Sequence, residues 1–240
     1  MFEIYKITFR RLVREPFYWL LLLSSVLACE IAPAFSDLFS FGKMEFASMD
    51  IVQATVFMAL LAYVVRGSMV VLGRDLGERN DLILFSRPIS RRTILIARFL
   101  AIYSALSCIS LLLGIWLIKQ GWYLNWGYKT FSLALCCAWN AWLQASVLLS
   151  LLVALAAMTE TLYAILIVLA AYMFSYCIPS DYSALTCWLL PPFQWYDLGP
   201  VIYSGGSVGW VYMTLLTAYS MLYSAFILTL GGMALERREF

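Results

Sequence analysis

The sequence contains no histidine. Without an imidazole there is no Ser-His-Asp arrangement, no H-E-x-x-H zinc site and no histidine ligand for haem. No G-x-x-x-x-G-K-[ST] loop is present to cradle nucleotide phosphates. Charge is scarce too: Asp, Glu, Lys and Arg make up only 12% of the chain, and the carboxylates fall almost entirely between the apolar runs. That leaves no intramembrane acid pair for hydrolysis or proton relay. The six cysteines have no metal-ligand spacing. The expectation is a chain with no catalytic residue, no metal, no cofactor and no nucleic-acid partner.

Apolar side chains are what the chain has in abundance. Hydrophobic residues reach 63% and mean hydropathy is +0.85, against roughly 45–50% apolar usage in soluble domains. Six runs approach the ~20 residues that cross a ~30 Å hydrocarbon layer. They cover residues 17–35, 51–72, 99–118, 133–155, 161–178 and 211–230. The fourth exceeds what one crossing needs, which implies tilt. No internal repeat or low-complexity linker interrupts them, so one all-α integral membrane domain over residues 1–240 is expected.

Orientation follows from the cations. Lys6, Arg10, Arg11 and Arg14 precede the first run; Arg74, Arg79, Arg87, Arg91, Arg92 and Arg98 follow the second; Arg237 and Arg238 end the chain. Only Lys43, Lys119 and Lys129 fall on the other side, with Arg66 inside the second run. The positive-inside rule then puts both termini in the cytoplasm. Residues 2–14 interleave Phe2, Ile4, Tyr5, Phe9, Leu12 and Val13 with four of those cations. An amphipathic elbow helix over 1–16 is expected to lie in the interface until Pro16 turns the chain inward. A plain positive n-region is the simpler alternative, and Val26-Leu27-Ala28-Cys29 loosely resembles a lipoprotein cleavage box.

Charge is densest at 74–92, which holds five arginines and the carboxylates Asp75, Glu78 and Asp81. Asp75 and Arg79 stand four apart in the favoured acid-before-base order, with Arg74 and Glu78 as a weaker pair. Leu72, Leu76 and Ile83 share a face, so a short helix along the membrane is expected before Pro88 breaks it. Ser90 is placed to cap the next span. A solvated loop that only sets topology is the alternative.

The order of these parts resembles the membrane subunit of an ABC exporter, of the type-2 export permease superfamily. The stretch from Arg74 through Glu78 and Leu84 to Pro88-Ile89-Ser90-Arg91, continued by Ile94 to Ala97, is similar to that family's loop between spans two and three. Arg79-Asn80-Asp81 departs from it, replacing the Gly-Thr common there. The resemblance implies an elbow helix, six spans, cytoplasmic ends, a second permease copy and a separate ATPase subunit. Residues 73–92 would then be the coupling loop, with Arg74, Asp75, Glu78, Arg79 and Asp81 at the ATPase. Glu160, in the tight turn Met158-Thr159-Glu160, would be a second contact or a simple connection. The aromatic segment 179–207 is similar to the family's extracytoplasmic re-entrant element, with a surface-lying aromatic belt as the competing reading. The implied location is a bacterial inner membrane, with membrane lipid as a further partner.

Three polar side chains intrude on the spans. Arg66, about 9 Å from the inner end of its run, either snorkels or lines a cavity. Asn140 and Gln144 share a helical face and suit interhelical hydrogen bonds or contact with a substrate. Cys177 and Cys187 fall toward the outer side, where a disulfide is open to them. Two other function classes fit the composition, a non-transporting scaffold of an envelope-assembly complex and a secondary transporter. The latter normally carries midplane charges or paired broken helices.

Overall fold

A computed structural model describes residues 1–39, 44–73, 90–123, 128–177, 190–203 and 207–237. The chain folds as α1 (Phe2–Arg14), α2 (Pro16–Phe39), α3 (Met44–Ser68) with a π-helical turn at Met69–Gly73, α4 (Arg91–Tyr123), α5 (Tyr128–Met158) and α6 (Thr161–Cys177). A 3₁₀ turn (Phe193–Tyr196), α7 (Gly199–Tyr203) and α8 (Trp210–Arg237) complete it. No strand occurs among the described residues.

Four helices are long and apolar enough to cross a membrane, at Asp50–Leu72, Arg91–Lys119, Phe131–Met158 and Trp210–Arg237. The first expected span meets that standard only as a pair, α1 and α2 together, bent by 55°. The fifth is a helix of 17 residues, about 25 Å long and at the short limit of a crossing. Much of the outside of the protein is apolar too: Leu111, Leu166, Phe174, Val211 and Leu215 are all more than half exposed. Such a surface belongs in lipid.

The bend between α1 and α2 is local chemistry. Pro16 disfavours helical geometry in the residue before it, and Glu15 has φ −70° and ψ 124°. Proline then opens α2, where its missing N–H costs nothing. The two helices meet through the Glu15 N–H on the Leu12 carbonyl (3.1 Å) and the Tyr18 N–H on the Glu15 carbonyl (3.1 Å). Leu12 is buried; a Cβ at Gly67 would touch it at 3.8 Å and press on Ile102 at 3.3 Å. The Tyr5 hydroxyl donates to Ser104 Oγ (3.1 Å), which fastens α1 to α4.

At the centre stands α5, packed against α3, α4, α6 and α8. Of its most apolar stretch 78% is buried, against 22% for α8. Ala134, Ala141, Ala145, Ala156 and Ala157 line its hidden faces. Small residues let backbones approach, the main means of helix association where lipid is as apolar as leucine. At Gly231 of α8, a Cβ would lie 2.8 Å from Ala154 Cα.

The start of α4 is capped as the sequence suggests, with the Thr93 N–H on Ser90 Oγ (3.3 Å). Arg91 and Arg92 stand in the first turn of α4, where cations oppose the helix dipole. In the fold they reach the C-terminal end of α8, Arg91 donating to the Leu235 carbonyl (3.3 Å) and Arg92 pairing with Glu236 (2.6 Å). One helix's negative end thus offsets cations crowded at another's positive end. Arg98, expected at the mouth of the span, is buried.

Gly231→Leu should force α5 and α8 apart, at a cost of about 1–3 kcal/mol for overpacking. Thermal unfolding in detergent should show the loss, while Gly209→Leu, at a position where a Cβ meets nothing within 4 Å, should be near neutral.

Candidate functional site

Two constructions stand out, at opposite ends of the bundle. The first is the elbow. Glu15, half-buried at the bend, accepts from Arg66 twice through one carboxylate oxygen, from Nε (3.1 Å) and Nη2 (2.7 Å). The Arg66 guanidinium also lies over the Phe17 ring, 5.3 Å from its centroid, a cation–π contact. Arg66 therefore extends from α3 toward the α1–α2 junction. With the ion pair this exposed, its contribution is roughly 0–1 kcal/mol. Packing about the buried Leu12 is the stronger hold on the elbow.

The second construction is an inserted turn over residues 191–198. Phe193 and Tyr196 are almost wholly buried, and the Tyr196 hydroxyl shares a 2.7 Å hydrogen bond with Ser220 of α8. Ser220 lies ten residues into α8, about 15 Å along it. Irregular backbone held among apolar helices must find partners within the protein, and here it does. Ser175 of α6 donates to the Pro191 carbonyl (2.9 Å) and accepts from the Phe193 N–H (2.9 Å). The Trp195 and Asp197 N–H groups close 3₁₀ bonds on Pro192 and Gln194. The Trp195 carbonyl accepts from the Tyr212 hydroxyl, and the Tyr196 carbonyl accepts from the Asn140 amide. Asp197 Oδ1 receives the Gly199 N–H (2.9 Å).

An aromatic column seats the turn: Phe57 stacks on Tyr172 (5.6 Å), and Tyr172 meets Phe193 edge-on (5.0 Å). The Gln144 amide donates to the hydroxyls of Tyr172 and Tyr176 (3.4 Å each). Asn140 and Gln144 thus serve one cluster, joining α5 to the turn and to α6, while Arg66 belongs to the opposite end. Asn140 Oδ1 and Gln53 Oε1 are buried acceptors with no partner among the described residues.

Ser175, Ser220 and Tyr212 were missed from sequence. A serine flanked by aromatic residues in an apolar helix, as in Tyr172–Tyr176, was the available signal, but it does not reveal which backbone it serves.

Of the residues expected at an ATPase, Arg74, Asp75, Glu78, Arg79 and Asp81 lie outside the described residues. Glu160 is exposed in a two-residue connection, its carbonyl receiving the Ala164 N–H (3.0 Å) at the start of α6. Cys187 and the Cys177 side chain also lie outside, while Cys29, Cys108, Cys136 and Cys137 are free thiols. Among the described residues no group of His, Cys, Asp or Glu is arranged to hold a metal ion. No protein-family model matches the chain, and no curated protein is detectably similar to it.

Ser175→Ala leaves the Pro191 carbonyl and the Phe193 N–H without their shared partner, and Asn140→Leu strips the Tyr196 carbonyl of its donor. Each should destabilise the fold by about 1–3 kcal/mol, the cost of a buried polar group left unpaired. Thermal unfolding checks this, with Ser24→Ala as reference, because the Ser24 hydroxyl bonds to the Leu21 carbonyl within its own helix.

Proposed function

We propose that this chain is the membrane-spanning subunit of an ABC-type exporter, coupled to a separate ATPase and completed by a second permease copy. In this reading α2, α3, α4, α5, α6 and α8 cross a bacterial inner membrane, with both termini in the cytoplasm. The distribution of charge supports that orientation. Glu15–Arg66 and Arg92–Glu236 lie at the end shared by α1, the close of α3, the start of α4 and the close of α8. Lys119 pairs with Glu30 at the other end, 3.1 Å away.

The observation that carries the proposal is the inserted aromatic turn at the end opposite the elbow. A hydrogen-bonded plug of backbone, seated deep among three helices, suits an export route closed on its outer side. The interior of a single copy is filled by Leu60, Ile102, Leu106, Ile109 and Leu148, all inaccessible. A route is therefore expected between two copies rather than through one. A secondary transporter is less well supported, because Arg66 is engaged at the elbow by Glu15. A non-transporting scaffold is the remaining alternative.

Coupling is assigned to residues 74–87 and Glu160. Asp75→Lys with Glu78→Lys should abolish capture of the ATPase in a pull-down at equal membrane levels, since acidic residues contribute little to topology. Equal recovery by wild type and variant would return the loop to a topology signal. The purified chain alone should hydrolyse no ATP, and a monodisperse monomer that still transports would defeat the paired arrangement.

A further inference from the structure

A cleft of about 500 Å³ lies on the outside of the elbow, bounded by Ile7, Arg10, Arg11, Arg14, Glu15 and Val70. Its α1 wall is one helical stripe, since positions 7, 10, 11 and 14 follow the i, i+3, i+4, i+7 rule. Arg10 and Arg14 are a turn apart, with Cβ atoms about 5–6 Å from one another. Neither has a carboxylate partner among the described residues. The one acid in the cleft, Glu15, already receives two hydrogen bonds from Arg66.

We infer that this cleft binds the phosphate of an anionic phospholipid, with Arg10 and Arg14 as the principal donors. Two guanidiniums on one face suit an oxyanion with several acceptor oxygens. The surroundings select a lipid over a free anion. Ile7 is 66% exposed one turn from the arginines, and Phe2 and Trp19 are more than half exposed on either side. The Trp19 indole donates to the Val13 carbonyl (2.9 Å), tying an aromatic ring of the kind that marks the headgroup level to the elbow. An acyl chain would cover Ile7 and Val70 while its phosphate meets the arginines. Basic recesses between helices at a membrane surface are suited to this recognition. The inference needs the elbow to lie at a bilayer surface and is independent of the ATPase.

The test is native mass spectrometry of the full chain from micelles holding phosphatidylcholine alone or mixed equally with phosphatidylglycerol. Wild type should retain phosphatidylglycerol selectively, and less of it as salt rises. Each arginine lost should weaken retention roughly fivefold, so R10Q/R14Q should fall by well over tenfold. R10K/R14K, which keeps the charge but loses the forked donors, should fall between wild type and R10Q/R14Q, and K119Q, altered at the far end of the bundle, should equal wild type. Excess inorganic phosphate should not displace the lipid; displacement by phosphate alone would make this a free-anion site and overturn the lipid assignment. Equal retention of both lipids, or salt-independent retention, by wild type would overturn the inference without any variant. So would unchanged retention by a folded R10Q/R14Q protein.

Discussion

Close approach to α5 is the constraint on which the rest of this structure depends. Helices in lipid gain little from hiding apolar surface, because the alternative solvent is equally apolar; they associate by contact, and contact requires small residues. α5 supplies them along its length. Ala138 meets the place where a Cβ on Gly114 of α4 would be (3.3 Å), and Ala154 meets Gly231 of α8. Those contacts lie toward opposite ends of α5, so α4 and α8 are each drawn in at a fixed level. With the helices set, the side chains that serve both ends of the bundle have a rigid frame to act from.

At one end that frame lets buried polar groups be satisfied at depth. A turn of backbone over 191–198 would be intolerable in hydrocarbon alone. Its carbonyls and amides are met by Ser175, Asn140 and Tyr212, from three helices whose spacing is fixed through α5. The turn depends on the bundle, and Phe193 and Tyr196 fill the gap between its helices in return.

At the other end the same frame brings charges together that the chain keeps far apart. Glu15 and Arg66 are separated by 51 positions, Arg91 and Leu235 by 144. The electrostatic cost of cations at the start of α4 is offset by the carbonyls and Glu236 at the end of α8. The arginines of α1 are arranged differently. They line an open cleft beside exposed apolar residues, a surface that faces outward rather than into the bundle.

The sequence by itself determined what depends on neighbours along the chain. The helical class, the apolar runs, the break at Pro16 and the Ser90 cap were all legible, because hydrophobic length, proline sterics and capping act over a few residues. The run at 161–178 was legible as a helix, but its shortness and the bent pairing of α1 with α2 leave four helices that are long and apolar enough to cross unaided among the described residues. The tertiary structure alone decided the partners. Asn140 and Gln144 could be recognised as polar residues on one face, yet only the fold brings them to the Tyr196 carbonyl and to Tyr172 and Tyr176. Ser175 had no signal of its destination, and Arg66 had two readings until Glu15 stood beside it. A hydrogen bond between segments far apart in sequence is chosen by where the helices pack, and that is set by the close contacts of α5 rather than by any local pattern.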